Sequence, residues 1–295
     1  MESERLQDKW FQWLLQKRHG GDIEMQKTML TFLGQVRDKL LQNAKIAEGN
    51  TVLDVGTGDG LIAFAALDQV GKQGKVIFSD ISQDLLDHCR SLAEKLGIVD
   101  RCQFLKASVD NLTNLDNASV DIITVRSVLI FVEAKHSAFK EFYRVLKPGG
   151  RLSIFEPINR FGYNPVNIFR GYNVGPIIDI VEKISKIYSL IQPLRTDPML
   201  DFDERDLFSL IENAGFGEIH LELHADMTSI PAAKWETVLR IAANPRVPAL
   251  EEAMKQALTD EEIEKLTNHL RPLVEAGQGT RKTAAAYLWA QKVCS

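Results

Sequence analysis

Short apolar runs alternate with helically spaced apolar stripes along the first half of the chain. Residues 51–56, 75–80, 102–107, 120–126 and 151–156 are rich in Val, Ile, Leu and Phe, and such unbroken runs read as strands buried on both faces. Between 82 and 96 the period changes: Leu85, Leu86, Cys89, Leu92 and Leu96 recur at helical spacing, so one face is set to cover the sheet. Ser82 supplies a cap, Asp84 a first-turn carboxylate and Gly97 a stop. A second helix is expected from 133 to 146, carrying Phe139, Phe142, Tyr143 and Leu146 and ending before Pro148. Strand and helix in alternation predict an α/β fold: a Rossmann-like, seven-stranded, mostly parallel sheet with helices on both faces, plus a helical lid.

Beyond residue 157 the pattern loosens. Residues 158–202 carry Phe161, Tyr163, Phe169, Tyr172 and Tyr188 among several Gly and Pro, and form an expected lid segment. Asp203 opens a helix to about Ala214, and 218–223 reads as the sixth strand, so 203–225 returns to the core. The seventh strand is expected within 281–295, at 283–290. The intervening 226–280 is far too long for a hairpin loop and holds helical patterns near 231–242, 248–257 and 260–275, a helical insertion. Residues 1–48 make an N-terminal helical cap and 49–157 the cofactor-binding core.

Composition narrows the class without choosing the chemistry. With 295 residues and 45% hydrophobic content the chain is able to bury a large core. No apolar run reaches bilayer-spanning length, and the first residues lack the basic-then-apolar order of a signal peptide, so a cytoplasmic location without membrane insertion is expected. Cys89, Cys102 and Cys294 have no metal-type spacing and read as reduced thiols, with no metal expected. A net charge of −5 gives no footprint for nucleic acid. Oligomeric state is not encoded in any of these features.

The chemistry is concentrated where the first strand ends. Thr51-Val-Leu-Asp-Val-Gly-Thr-Gly-Asp-Gly60 runs an apolar strand into a loop of alternating glycines, and Leu61 to Leu67 follows as a helix whose N-terminus faces the same space. The second strand ends in Asp80, where a carboxylate accepts hydrogen bonds from ribose hydroxyls in dinucleotide-type folds. The dinucleotide fingerprint is G-x-G-x-x-G, whereas this loop reads G-x-G-x-G with Leu61 at the third glycine's place, which disfavours NAD.

The form strand-Asp54-x-Gly56-x-Gly58-x-Gly60 resembles the first motif of the class I S-adenosylmethionine (SAM)-dependent methyltransferases. The resemblance extends through Asp80, Val120 to Arg126 and Glu141 to Glu156 with its Lys-Pro-Gly-Gly turn, in the order seen in methyltransferases of quinone biosynthesis and other small-molecule relatives. It implies SAM as cofactor, S-adenosylhomocysteine (SAH) as product, and Asp54, Gly56, Thr57, Gly58, Asp59, Gly60, Asp80, Ile81, Ser108, Val109 and Arg126 around the cofactor. Asp59 reads equally as a solvated helix cap. Ser108 stands where the family commonly has an adenine-binding Asp, with Asp110 near enough to substitute. Arg126 is a charge ending an apolar strand, and pairs with the cofactor carboxylate or with Asp54, or caps a surface turn.

The resemblance implies methyl transfer to a small, hydrophobic or aromatic metabolite by in-line displacement in a lid-covered pocket. A phenol or alcohol acceptor calls for a base, for which Glu156, Tyr163, His19 and Asp22 are candidates, whereas an enolic carbon, amine or thiol needs none. Arg18-His-Gly-Gly-Asp22, behind Trp10, Phe11 and Trp13, is either backbone closing over a ligand or a helix-ending turn. His220 and His224 lack a third ligand and read as ordinary histidines. A SAM-binding regulator or scaffold without turnover is the alternative, with a nicotinamide oxidoreductase behind it. The Asn/Asp-Pro-Pro-aromatic motif of nucleic-acid base methyltransferases is absent after the fourth strand, where Arg126-Ser-Val-Leu stands.

Overall fold

The computed structural model describes residues 8–18, 23–162 and 167–293. Its frame is a seven-stranded sheet in the order β3-β2-β1-β4-β5-β9-β8. Here β1 is Thr51–Val55, β2 Lys75–Asp80, β3 Cys102–Lys106, β4 Val120–Arg126 and β5 Leu146–Pro157; β8 is Gly217–Ile230 and β9 Gly279–Gln291. The first five pair in parallel, and β9 runs antiparallel to both β5 and β8. The order reverses beside β1, so the crevice at the carboxyl ends of β1 and β4 is the place where this topology accepts a ligand.

The continuous apolar runs serve two faces. Leu53, Val55, Ile77, Ile123 and Val125 pack into one buried cluster, while Val52, Val76, Phe78 and Ile122 pack into the other, as the two-residue period of a strand requires. On the second face lie α2 (Ile23–Ala44), α3 (Leu61–Gln69) and α4 (Gln83–Lys95), and on the first α5 (Lys135–Val145) and α7 (Glu204–Asn213). The expected caps hold: the Ser82 hydroxyl accepts from Leu85 N–H at the start of α4, and Asp203 with Asp206 forms a capping box on α7.

Three strands extend beyond the sequence reading. β5 begins at Leu146 instead of 151, because Leu146 pairs with Val120 and pairing resumes at Arg151 opposite Ile122, taking up the Lys-Pro-Gly-Gly turn as an irregularity within the strand. β8 and β9 also run further than 218–223 and 283–290, pairing out to Ile230 opposite Gly279. That extension is largely exposed and polar, so its ladder continued where apolar alternation had stopped.

The segments after 157 build a third apolar cluster. A short hairpin, β6 (Ile168–Phe169) with β7 (Tyr172–Asn173), leads into α6 (Ile178–Ile191). The insertion contributes α8 (Trp235–Arg240), α9 (Leu250–Ala257) and α10 (Asp260–Glu275). Tyr172, Ile180, Val181, Ile184, Trp235, Leu250, Met254, Leu266 and Leu270 are buried together here, apart from the two clusters that cover the sheet.

Candidate active site

The glycine loop leaves β1 at the switch point with Gly56, Gly58 and Gly60 at φ +62°, +56° and +83°. A Cβ at Gly56 would stand 2.3 Å from Val128 Cγ2, and one at Gly60 2.5 Å from a Phe64 ring carbon, so both positions require the bare backbone on two counts. The loop is fastened from beneath by Asp54, whose carboxylate accepts from the Thr57 hydroxyl at 2.8 Å and the Thr124 hydroxyl at 2.7 Å. Burial raises the Asp54 pKa to about 6 against those two hydrogen bonds and the nearby Arg126. Asp54 thus serves as a strut beneath the loop.

Asp80 ties the loop to the next strand. One carboxylate oxygen accepts from Gly58 N–H at 3.0 Å and the other from Ser82 N–H at 2.9 Å. Burial pushes its pKa up, with the two backbone donors opposing. Each oxygen keeps lone-pair capacity for a further donor such as a ribose hydroxyl. Ile81, next in the chain, is 49% exposed, an apolar side chain open at the strand's carboxyl edge. Asp59 is half-buried and accepts only a long contact from Leu61 N–H at 3.4 Å, a weak form of the helix-cap reading.

Beyond β3 the expectations divide. Ser108 is exposed and donates its hydroxyl to Asp110, which draws the two proposed adenine partners together. Val109 turns inward, 6% exposed in the cluster with Leu105 and Leu112, so its side chain packs the core.

Glu156 is corrected outright as a base. It is fully buried, and its carboxylate accepts from Val128 N–H at 2.7 Å and Leu129 N–H at 2.8 Å, with Ile130 N–H at 3.4 Å. Its work is to anchor the loop after β4, including the Val128 that closes on Gly56. Burial raises its pKa to about 7, opposed by those backbone donors and by Lys135. The other candidate bases, His19, Asp22 and Tyr163, lie outside the described residues, as does Cys294.

The sequence assigned the N-terminal residues to a helical cap without fixing where it docks. The N-terminal segment, with α1 (Lys9–Gln12) and a π turn over Trp13–Lys17, lies across the loop as a roof: the site of a Gly58 Cβ is 3.1 Å from Leu14 Cδ2. Asp8 caps α1 through Trp10 and Phe11 N–H and accepts the Ser82 hydroxyl at 2.6 Å, which pins the segment beside Asp80. Trp10 and Trp13 meet Phe131 edge-on at 4.9 and 6.5 Å, and the Trp13 indole donates to the Ala242 carbonyl at 3.1 Å. The aromatic content of this helix was visible, but its docking place was not.

Arg126 neither pairs with Asp54 nor caps a surface turn. It is 9% exposed and makes no hydrogen bond or ion pair among the described residues. Arg18, in the roof, lies near enough to feel its charge, and its guanidinium stands 5.4 Å from the Trp13 ring centroid. Burial, and then Arg126, lower the Arg18 pKa to about 10, with Asp59 opposing. His220 stacks on Trp289 at 5.2 Å and His224 is exposed beside Glu222. Among the described residues no group of three or more His, Cys, Asp or Glu is placed to hold a metal.

A glycine loop at the switch point, an acid ending the neighbouring strand and a seventh strand inserted antiparallel define the fold and cofactor site of a SAM-dependent methyltransferase. The chain belongs to the ubiE/COQ5 methyltransferase family, whose model matches residues 28–233. It is 32% identical over 186 residues to the ubiquinone/menaquinone biosynthesis C-methyltransferase UbiE of Haemophilus ducreyi, covering 59% of this chain and 67% of that one. The UbiE of Cronobacter sakazakii is likewise 32% identical over 185 residues, covering 59% and 69%. Among solved structures, phosphoethanolamine N-methyltransferase 2 of Haemonchus contortus in complex with SAM superimposes with a TM-score of 0.52 at 15% identity, covering 88% of this chain and 53% of that one. The YcgJ protein of Bacillus subtilis gives 0.53 at 16%, covering 88% and 98%. The family makes SAM the methyl donor and sets the nicotinamide reading aside. No helix among the described residues is long and apolar enough to cross a membrane.

Proposed function

We propose that this enzyme methylates a small aromatic acceptor, of the quinol type, at a ring carbon. The carrying observation is the aromatic wall of Trp10, Trp13 and Phe131 beside the glycine loop, which offers a flat ring an apolar face while the roof keeps water from the sulfonium. The names of the relatives, C-methyltransferases of ubiquinone and menaquinone biosynthesis, support a carbon acceptor. Asp80 takes the ribose hydroxyls, Ile81 and the Ser108–Asp110 pair meet the adenine, and the loop cradles the amino-acid end. The lid is formed by 158–202, 226–280 and the N-terminal segment. Methyl transfer is an in-line displacement, so the residues chiefly position the ring and exclude solvent.

The test has two stages. Calorimetry with SAM, SAH and NAD is expected to give binding of the first two alone. SAH release is then followed with reduced benzoquinol and naphthoquinol analogues lacking a ring methyl, and mass spectrometry locates the new methyl. Product on oxygen, or none from any quinol while SAM binds, overturns the acceptor assignment.

A further inference from the structure

Arg126 stands at the carboxyl end of β4, the strand beyond β1 from the side where Asp80 receives the nucleoside. A donor whose ribose lies over β2 and whose amino-acid end follows the glycine loop carries its sulfonium toward β4, so Arg126 faces the acceptor side of the reaction. The residue is nine-tenths buried and makes no hydrogen bond or ion pair among the described residues, a costly state unless something anionic joins it. Arg18 approaches it from the roof, a second cation without an ion pair among the described residues. Among the described residues, the charged groups that interact with Arg126 are Arg18 and Asp54, with Asp59 acting on Arg18, and Asp54 is already engaged by two hydroxyls. The donor brings a sulfonium, and its carboxylate is balanced by its own ammonium. Two arginines and a sulfonium therefore face the acceptor with too little negative charge from the protein.

The geometry points to an acceptor bound as an oxyanion, a phenolate or enolate whose ionised oxygen is held by Arg126 with Arg18 behind it. This rests on the methyltransferase reading of the same site and goes beyond it by fixing the acceptor's charge. The proton leaves to solvent when the acceptor binds, so turnover requires no side-chain base. In the transfer, the carbon conjugated with the oxyanion supplies the electron pair of the new C–C bond. The C–S bond breaks with its pair going to sulfur, turning sulfonium to thioether. Anion and cation annihilate: the methylated ring is a neutral dienone, which returns its ring proton to oxygen as it rearomatises. The neutral product has lost its hold on the arginines, which favours release.

4-Nitrophenol serves as probe, because its ionised form is read directly by absorbance. In the SAH-saturated enzyme its pKa is expected to fall by about one unit or more below its value free in the same buffer, as for an acid beside fixed cations. R126M and R18M are expected to restore the free value and to weaken nitrophenolate binding roughly tenfold, one pKa unit's worth, while leaving neutral benzyl alcohol unaffected. Because a carboxylate is also carried by the donor, SAH is compared with 5′-methylthioadenosine, which lacks it. An unshifted probe, with R126M losing SAH but keeping methylthioadenosine, assigns the arginines to the donor and overturns the inference. Failure of the SAH complex to bind nitrophenolate overturns it as well. If the wild type binds neither SAH nor methylthioadenosine, the cofactor reading itself falls, an outcome distinct from both.

Discussion

At the scale of single residues, the site depends on groups committed to one another before any ligand arrives. Gly56 combines a left-handed backbone with a Val128 methyl where its Cβ would be. Gly56→Ala is expected to cost about 1–3 kcal/mol of stability, read by denaturant unfolding, and to abolish measurable SAM binding in calorimetry. Asp80→Ala removes the tie to Gly58 and the acceptor for the ribose, and should weaken SAM binding by roughly 1–3 kcal/mol. Unchanged affinity would assign the ribose to another group. Glu156 and Asp54 give the fold a defined pH dependence. Burial raises both above their ordinary values of 4.5 and 3.8, to about 7 and about 6. The stability they contribute is complete below those ordinary values and is lost as pH rises through the folded-state values. Thermal unfolding between pH 4 and 8 should show this decline, and Glu156→Gln should flatten the part lying between about 4.5 and 7.

At the scale of elements, the N-terminal segment behaves as a roof hinged on Asp8. That side chain caps α1 and holds Ser82, so its removal frees the segment from the edge beside Asp80. Asp8→Ala is expected to lose about 1 kcal/mol of cap energy and to expose Trp10 and Trp13, giving a red-shifted, more quenchable indole emission with weaker SAM binding. An emission spectrum identical to the wild type would mean the aromatic wall stands without the cap. The strand ends were less legible than the strands. Leu146 enters β5 because it pairs with Val120 before the ladder resumes at Arg151 beyond Pro148, and the outer half of β8 exists through its ladder with β9. Neither leaves a periodic apolar signature, since one is a bulge and the other faces water on both sides.

At the scale of the whole molecule, Arg126 is a buried cation with no hydrogen bond or ion pair among the described residues, so ligand binding at this site should stabilise the enzyme. SAH at a hundred times its Kd is expected to add about 2.7 kcal/mol. Arg126→Met removes the uncompensated charge and should raise the Tm of the ligand-free protein by roughly 2–4 °C, the equivalent of about 1 kcal/mol for a chain of this class. A fall in Tm would show that the guanidinium is satisfied in solution. The sequence by itself determined the parallel core, the three-glycine loop with Asp54 and Asp80 at its flanks, and the family, because each is written in contiguous residues whose spacing obeys the period of a strand, a helix or a turn. Only the tertiary structure decided that Glu156 is an anchor, that Val109 turns into the core, and that Arg18, stacked on Trp13, stands within electrostatic range of Arg126. The first and last of these join residues about 30 and more than 100 positions apart, and burial and charge balance there depend on which elements pack together, a relation no local pattern along the chain records.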